Sequence, residues 1–131
     1  MRFTEHELTA AVTGAAKTVM AAQSKDVRKG RRSVDEAWEA LSRYERYQLM
    51  SGLGDQLLPV LVSLPDVEVE AGTRPTFTEE QIVAAVEERL GDERGIRRKA
   101  VLKARTALVQ VALSFVPPRS DPDALTVPDH L

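Results

Sequence analysis

The chain has 131 residues, with 18 basic and 20 acidic side chains and a formal net charge of −2. This balance excludes a general attraction to nucleic acid or anionic lipid, so only a local patch of charge could bind either. The lack of cysteine excludes disulfides and thiolate chemistry. An acidic N-terminal sequence without a long apolar run predicts a soluble, cytoplasmic protein with no membrane contact.

Residues 1–116 carry helical periodicity along most of their length. Hydrophobic residues make up 43% of the chain but aromatic residues only 5%, so aliphatic and small side chains must form the core. We predict an all-α fold, a single small helical bundle of about five helices. Prolines recur in residues 117–131, which predicts an extended or partly disordered tail that either docks through Leu125 and Val127 or frays.

The first helix is predicted to begin at Thr4 and to end near Gln23. Thr4 and Glu7 have the spacing of a capping box, and Phe3 can pack on Leu8 as a hydrophobic staple. The apolar residues that follow at helical spacing are mostly alanine and valine. This narrow face allows another helix to come close.

A basic segment with Arg28, Arg31 and Arg32 surrounds Gly30 after the first helix. One interpretation is a phosphate-binding loop. The other, which we favour, is a solvated connector whose cations complement the dipole at the C-terminal end of the first helix.

The second helix is predicted to begin at Ser33, which forms a capping box with Glu36. Farther along, Tyr44 and Tyr47 lie among arginines, a composition typical of binding surfaces. We favour the alternative that both tyrosines are half-buried core residues with hydrated hydroxyl groups. An enzyme or small-molecule binder with its pocket between helices near Trp38, Tyr44 and Tyr47 is a further possibility.

Two glycines, Gly52 and Gly54, interrupt the pattern after Ser51. The segment matches neither a phosphate loop nor a nucleophile elbow. We expect the second helix to end there and Asp55 to cap a short new helix. If the second helix instead continues, Pro59 should kink it.

The residues that could act in catalysis or bind a metal do not occur at the spacings that such sites require. The alternating acids of residues 66–70 lack the glycine and the terminal glutamate of a calcium loop. His6 and His130 have no ligand or triad partner at a suitable spacing. We therefore predict no catalytic residue, no cofactor and no metal, and do not expect an enzyme.

Residues 77–86 resemble residues 3–12, with six identities and the same cap and staple positions. The identical residues are those that helix starts favour, so convergence is preferred over duplication. The repeat predicts a further helix beginning at Thr78 and stopping at Gly91.

The last helix is predicted over residues 95–116 and is expected to lie at the centre of the bundle. Its core stripe is predicted to contain seven residues at helical spacing, Ile96, Ala100, Ala104, Ala107, Leu108, Val111 and Phe115. The flank beside this stripe carries Arg94, Arg98 and Arg105 first, and later Val109, Ala112 and Val116. The helix should thus begin on the surface and end buried on most sides.

The sequence favours a non-enzymatic protein–protein interaction module that self-associates as a homodimer or binds another protein. The alanine-rich first helix and the last helix offer more apolar surface than one small bundle covers. The alternative is a small nucleic-acid-binding regulator that uses two groups of arginines, Arg28, Arg31 and Arg32 in the loop and Arg94, Arg98 and Arg105 on the last helix. The excess of arginine over lysine indicates a bacterial source.

Overall fold

The computed structural model describes residues 2–91 and 94–119, which form helices and connecting segments without a β-strand. The all-α prediction is therefore confirmed. The described residues contain six helices: α1 (Glu5–Gln23), α2 (Lys25–Arg28), α3 (Val34–Ala40), α4 (Arg43–Ser63), α5 (Glu79–Glu87) and α6 (Gly95–Ser114). Within that part of the chain, no helix is both long and apolar enough to cross a membrane. The predicted docking residues Leu125 and Val127 lie outside the described residues.

Capping boxes fix the first turn of four helices. At α1, the backbone N–H of Thr4 donates to Glu7 Oε1 at 2.8 Å, and the N–H of Glu7 donates to Thr4 Oγ1 at 3.1 Å. The same reciprocal bonds open α3, α4 and α5 at Ser33, Ser42 and Thr78. Each box satisfies two backbone donors that the start of a helix leaves unpaired. The predicted starts of α1, α3 and α5 are confirmed.

The predicted helix end at Gly52 and Gly54 is wrong, because α4 runs from Arg43 to Ser63 through both glycines and through Pro59. The chain instead breaks at Leu41 and Ser42, where the Ser42 box starts α4. The continuous helix places four large side chains in the core, Leu53, Leu57, Val60 and Leu61. Burying them, at about 1.5–3 kcal/mol each, outweighs the cost of about 1 kcal/mol per glycine and one bond lost at proline.

Helix α1 has the most helix neighbours in the bundle, since α2, α3, α4 and α6 all pack against it. Its inward face is built from small residues, of which Ala11, Ala15 and Ala16 are completely buried. Side chains this short let neighbouring helices come close. The alanine-rich face of α1, which the sequence predicted as a surface for a partner, is thus covered by other helices of the same chain.

The predicted core stripe of α6 is wrong, because most of it faces outward. Ile96 is 87% exposed and Phe115 is 45% exposed, and the alanines between them are exposed as well. The buried side chains are those predicted for the flank, Val109, Ala112 and Val116, together with Thr106. Both faces of α6 are apolar, but the predicted face carries three alanines, which have little apolar area to bury. Burial of the other face, which carries valines and Leu102, is therefore more favourable.

The end of the described chain is held against the start of α1 by Arg119. Its guanidinium donates to Glu7 at 2.9 and 3.1 Å and to the carbonyl of Arg2 at 2.8 Å. The backbone of Arg119 also exchanges hydrogen bonds with Gly72 and Thr73, at 2.7 and 2.8 Å. Glu7 is only 4% exposed, so its carboxylate caps α1 and accepts the arginine in a nearly buried setting.

Replacing Gly14 by alanine is expected to destabilise the fold by about 1–3 kcal/mol, the usual cost of overpacking. A Cβ at Gly14 would overlap the Cγ and Cδ2 atoms of Phe115. The control is Gly52→Ala, where a Cβ meets no atom within 4 Å and helix propensity predicts a gain of up to about 1 kcal/mol. Urea unfolding measures both changes. If Gly14→Ala is as stable as the wild type, α6 does not approach α1 this closely.

Stability is expected to fall with acid partly through Glu7. Burial raises the pKa of Glu7, but hydrogen bonds from Arg119 and Thr4 and the charge of Arg119 outweigh it and hold the pKa below the ordinary 4.5. The stabilisation is therefore present in full above pH 4.5 and is lost as pH falls through the lowered pKa of the folded state.

The variant Glu7→Gln should lose about 1–3 kcal/mol near neutral pH and show a weaker acid dependence. Urea unfolding from neutral pH down to about pH 3 compares it with the wild type. Hydrogen bonds from the Ser33 and Ser42 backbones also lower the pKa values of Glu36 and Glu45, but both proteins share this contribution. Identical acid dependence in the two proteins would show that Glu7 carries no pH-linked stability.

Candidate functional site

The basic loop folds around the single turn of α2. Gly30 has a φ of 72°, and the N–H groups of Arg31 and Arg32 donate to the carbonyl of Asp26 at 2.7 and 3.3 Å. The side chains of Arg28, Arg31 and Arg32 are exposed, and Arg31 Nη1 lies 3.9 Å from Asp26 Oδ1. The backbone donors of this loop are thus turned toward its own carbonyl groups, while the guanidinium groups face solvent.

The arginines of α6 have different surroundings from one another. Arg94 is exposed at the helix start, whereas Arg98 and Arg105 are half-buried on the side that faces the other helices. Arg98 Nη2 lies 3.7 Å from Glu87 Oε2. Helix α2 packs against α1 and α3, whereas α6 packs against α1, α4 and α5. Helix α1 is therefore the neighbour that α2 and α6 share.

The interpretation of Tyr44 and Tyr47 as half-buried core residues is wrong, because they are 66% and 67% exposed. The break at Leu41 and Ser42 changes the helix phase, so the buried side of α3, with Ala37 and Trp38, does not continue into Tyr44. The hydroxyl of Tyr44 accepts a hydrogen bond from Gln48 Nε2 at 3.0 Å. Both rings are presented to solvent at the start of α4.

An exposed apolar row runs along α4, and we call it the α4 row. At 100° per residue, its six residues fall within a sector of about 80°. They are Tyr44, Tyr47, Ser51, Asp55, Leu58 and Val62. Among the described residues, seven large hydrophobic side chains are classed as exposed, and four of them belong to this row. Leu58 is 38% exposed and Val62 is 53% exposed, so apolar side chains are exposed toward both ends of α4, with the polar residues Ser51 and Asp55 between them.

A groove of about 280 Å³ between α1 and α4 borders this row. Its lining is mostly apolar and consists of Glu5, Leu8, Thr9, Val12, Met50, Gly54 and Leu58. Gly54 forms part of the floor, where a Cβ would meet only Leu58 Cδ1, at 3.7 Å. We call this the α1/α4 groove. Leu58 belongs both to the lining of this groove and to the α4 row, so the apolar hollow adjoins the row.

A larger groove of about 510 Å³ lies between the end of α1, α3 and the start of α4. Arg32, Glu45 and Gln48 line it, whereas Trp38, Tyr44 and Tyr47 do not. The carboxylate of Glu45 is engaged with the N–H of Ser42 at 2.9 Å. The pocket expected beside the three aromatic residues is therefore displaced toward the basic loop.

A third groove, of about 440 Å³, separates α5 from α6 and has Thr106 in its wall. Thr106 is 6% exposed, and its hydroxyl has no hydrogen-bond partner within the described residues. The rim carries Glu79, Lys99 and Lys103. An unpaired buried hydroxyl costs about 1–3 kcal/mol, so this position is a local weak point of the α5 and α6 packing.

The variant Thr106→Val is expected to raise the unfolding free energy by about 1 kcal/mol, because it keeps the shape and removes the unpaired hydroxyl. Thr106→Ser, which keeps the hydroxyl and removes a methyl group, should lower it by about 1 kcal/mol. Thermal unfolding of the three proteins tests this order. A destabilised Thr106→Val would show that the hydroxyl is hydrogen-bonded.

No family model, curated protein or solved structure matches this chain. Within the described residues, no group of three or more histidine, cysteine or acidic side chains is placed to hold a metal ion. Sequence reasoning identified Tyr44 and Tyr47 but missed Leu58 and Val62. Their spacing along one face becomes visible only when α4 is taken as continuous through Gly52 and Gly54.

Proposed function

We propose that the protein is a non-enzymatic protein–protein interaction module that self-associates through the α4 row. The observation that carries this proposal is the exposure of Tyr44 and Tyr47 on the same face as Leu58 and Val62. Large apolar side chains grouped on one surface mark interaction sites. Tyrosine is also among the residues that contribute most to binding energy in protein interfaces.

The carboxyl groups whose pKa values are clearly shifted have structural roles, which supports a non-enzymatic function. Among the described residues, the clearly shifted pKa values belong to Glu7, Glu36 and Glu45, and all three are lowered. Each of these carboxylates accepts a hydrogen bond from the N-cap backbone of its own helix. Catalytic acids usually have raised pKa values in a cleft. Helix capping accounts for the pKa shifts of Glu36 and Glu45, and the ion pair with Arg119 together with capping accounts for that of Glu7.

The mass in solution tests the proposal. At high protein concentration we expect light scattering to give about twice the monomer mass of 14.5 kDa. The double variant Tyr47→Ser/Leu58→Ser should raise the dimer dissociation constant at least about thirtyfold, as loss of interface hot spots does. Ile96→Ser is the control, because Ile96 is 87% exposed on α6 and lies outside the α4 row.

A monomeric wild type would contradict self-association. If Ile96→Ser weakened the dimer while the α4 variant did not, self-association would remain but would use α6 instead of α4.

The alternative function is nucleic-acid binding by the basic loop. It is supported by the exposed guanidinium groups of Arg28, Arg31 and Arg32, with the neighbouring Lys29 also exposed. Fluorescence anisotropy of labelled duplex and single-stranded oligonucleotides at low salt measures such binding. Binding that weakens steeply with salt and is lost in Arg28→Ala/Arg32→Ala would support this alternative. Absence of binding at low salt would exclude the loop as a nucleic-acid site.

A further inference from the structure

We propose that two copies pair their α4 helices antiparallel about a twofold axis at Ser51, with the Tyr47 ring of each copy covering the α1/α4 groove of the other. This inference rests on the proposed self-association and specifies its geometry. The occupant of the α4 row is therefore a second copy of this chain.

Five of the six residues of the α4 row are spaced symmetrically about Ser51, and Val62 is the exception. Tyr44 and Leu58 lie seven residues before and after Ser51, and Tyr47 and Asp55 lie four residues before and after it. An antiparallel pairing centred on Ser51 therefore sets Tyr44 opposite Leu58 of the second copy, and Tyr47 opposite Asp55 of the second copy. In a twofold interface each such contact occurs twice.

The paired groups are chemically complementary. The ring of Tyr44 covers an aliphatic side chain, and the Tyr47 hydroxyl is positioned to donate to the carboxylate of Asp55 of the second copy. The Tyr47 ring lies across the mouth of the hollow that Leu8, Gly54 and Leu58 line, so its hydroxyl stays at the surface beside Asp55. Ser51 at the crossing point is small and exposed, which allows the two helix axes to approach closely.

Charge favours this arrangement over the other possible pairings. A parallel pairing would place Asp55 against Asp55, and like charges in contact disfavour association. The antiparallel pairing separates these like charges. The exposed face of α6 is less suited to self-pairing, because its first half carries the cations Arg97, Lys99 and Lys103.

Cysteine cross-linking tests the register. The chain has no cysteine, so Ser51→Cys introduces a single thiol at the proposed axis. Mild oxidation should convert most of this variant into a disulfide-linked dimer, since a disulfide requires Cα atoms about 4.4–6.8 Å apart. The control is Gln56→Cys, on the same helix and also exposed but about 140° away from Ser51 around the helix. It should stay largely unlinked.

Removing single hydroxyl groups tests the proposed pair independently of cross-linking. Tyr47→Phe should raise the dimer dissociation constant at least about tenfold in sedimentation equilibrium, because it removes a hydrogen bond to a carboxylate. Tyr44→Phe should leave it unchanged within about twofold, because the Tyr44 hydroxyl is bonded to Gln48 of its own chain.

Each outcome separates the geometry from the self-association. A wild-type dimer in which Ser51→Cys links no better than Gln56→Cys, or in which Tyr47→Phe has no effect, would overturn the twofold axis at Ser51 and leave self-association standing. A monomeric wild type would overturn both. Efficient linking at Ser51 alone, together with weakening by Tyr47→Phe, is the result expected from the proposed geometry.

Discussion

The close packing of helices against the small inward face of α1 is the constraint on which the rest of the structure depends. Ala11, Ala15 and Ala16 are completely buried there, and Gly14 lies so close to Phe115 that no Cβ fits between them. Because α1 offers little volume, its neighbours must supply the large core side chains. Helix α4 does so with Leu53, Leu57, Val60 and Leu61, and the hydrogen bonds between Arg119 and Glu7 hold the end of the described chain against the start of α1.

Because α4 supplies large side chains to the core and also has exposed ones, it is apolar on two sides. One side fills the core around α1, and the other presents Tyr44, Tyr47, Leu58 and Val62 to solvent. Two glycines and a proline within α4 weaken the helix on its own, so its continuity depends on burial of the inward side. A partner covering the outward row would stabilise the same helix from its other side. The proposed self-association and the fold are therefore linked through α4.

Local rules allowed much of the fold to be predicted from the sequence. The boxes at Thr4, Ser33 and Thr78 involve residues three positions apart, so no tertiary knowledge was needed to place those helix starts. The same rule, applied to Ser42 and Glu45, would also have located the break before α4. The continuity of α4 through Gly54 was not predictable from these rules, because it depends on burial that only the assembled core provides.

The face of α6 shows a second limit of sequence reasoning. Its apolar residues recur on more than one side, so periodicity alone does not select the buried face. That choice depends on which face offers more area to α1, α4 and α5, and it left Ile96 on the surface and Phe115 half-exposed at the edge of the contact with α1. The α1/α4 groove could not be predicted from the sequence either, because Leu8 and Leu58 are distant in sequence and come together only in the folded chain.

The central claim, that the outward side of α4 is an interface between two copies, is tested most directly by following backbone amide NMR shifts through a dilution series. The account predicts concentration-dependent shifts along residues 44–62 and around Leu8, with the exposed face of α6 unchanged. Shifts confined to the residues around Ile96 and Ala107, or spectra that do not change with concentration, would contradict it.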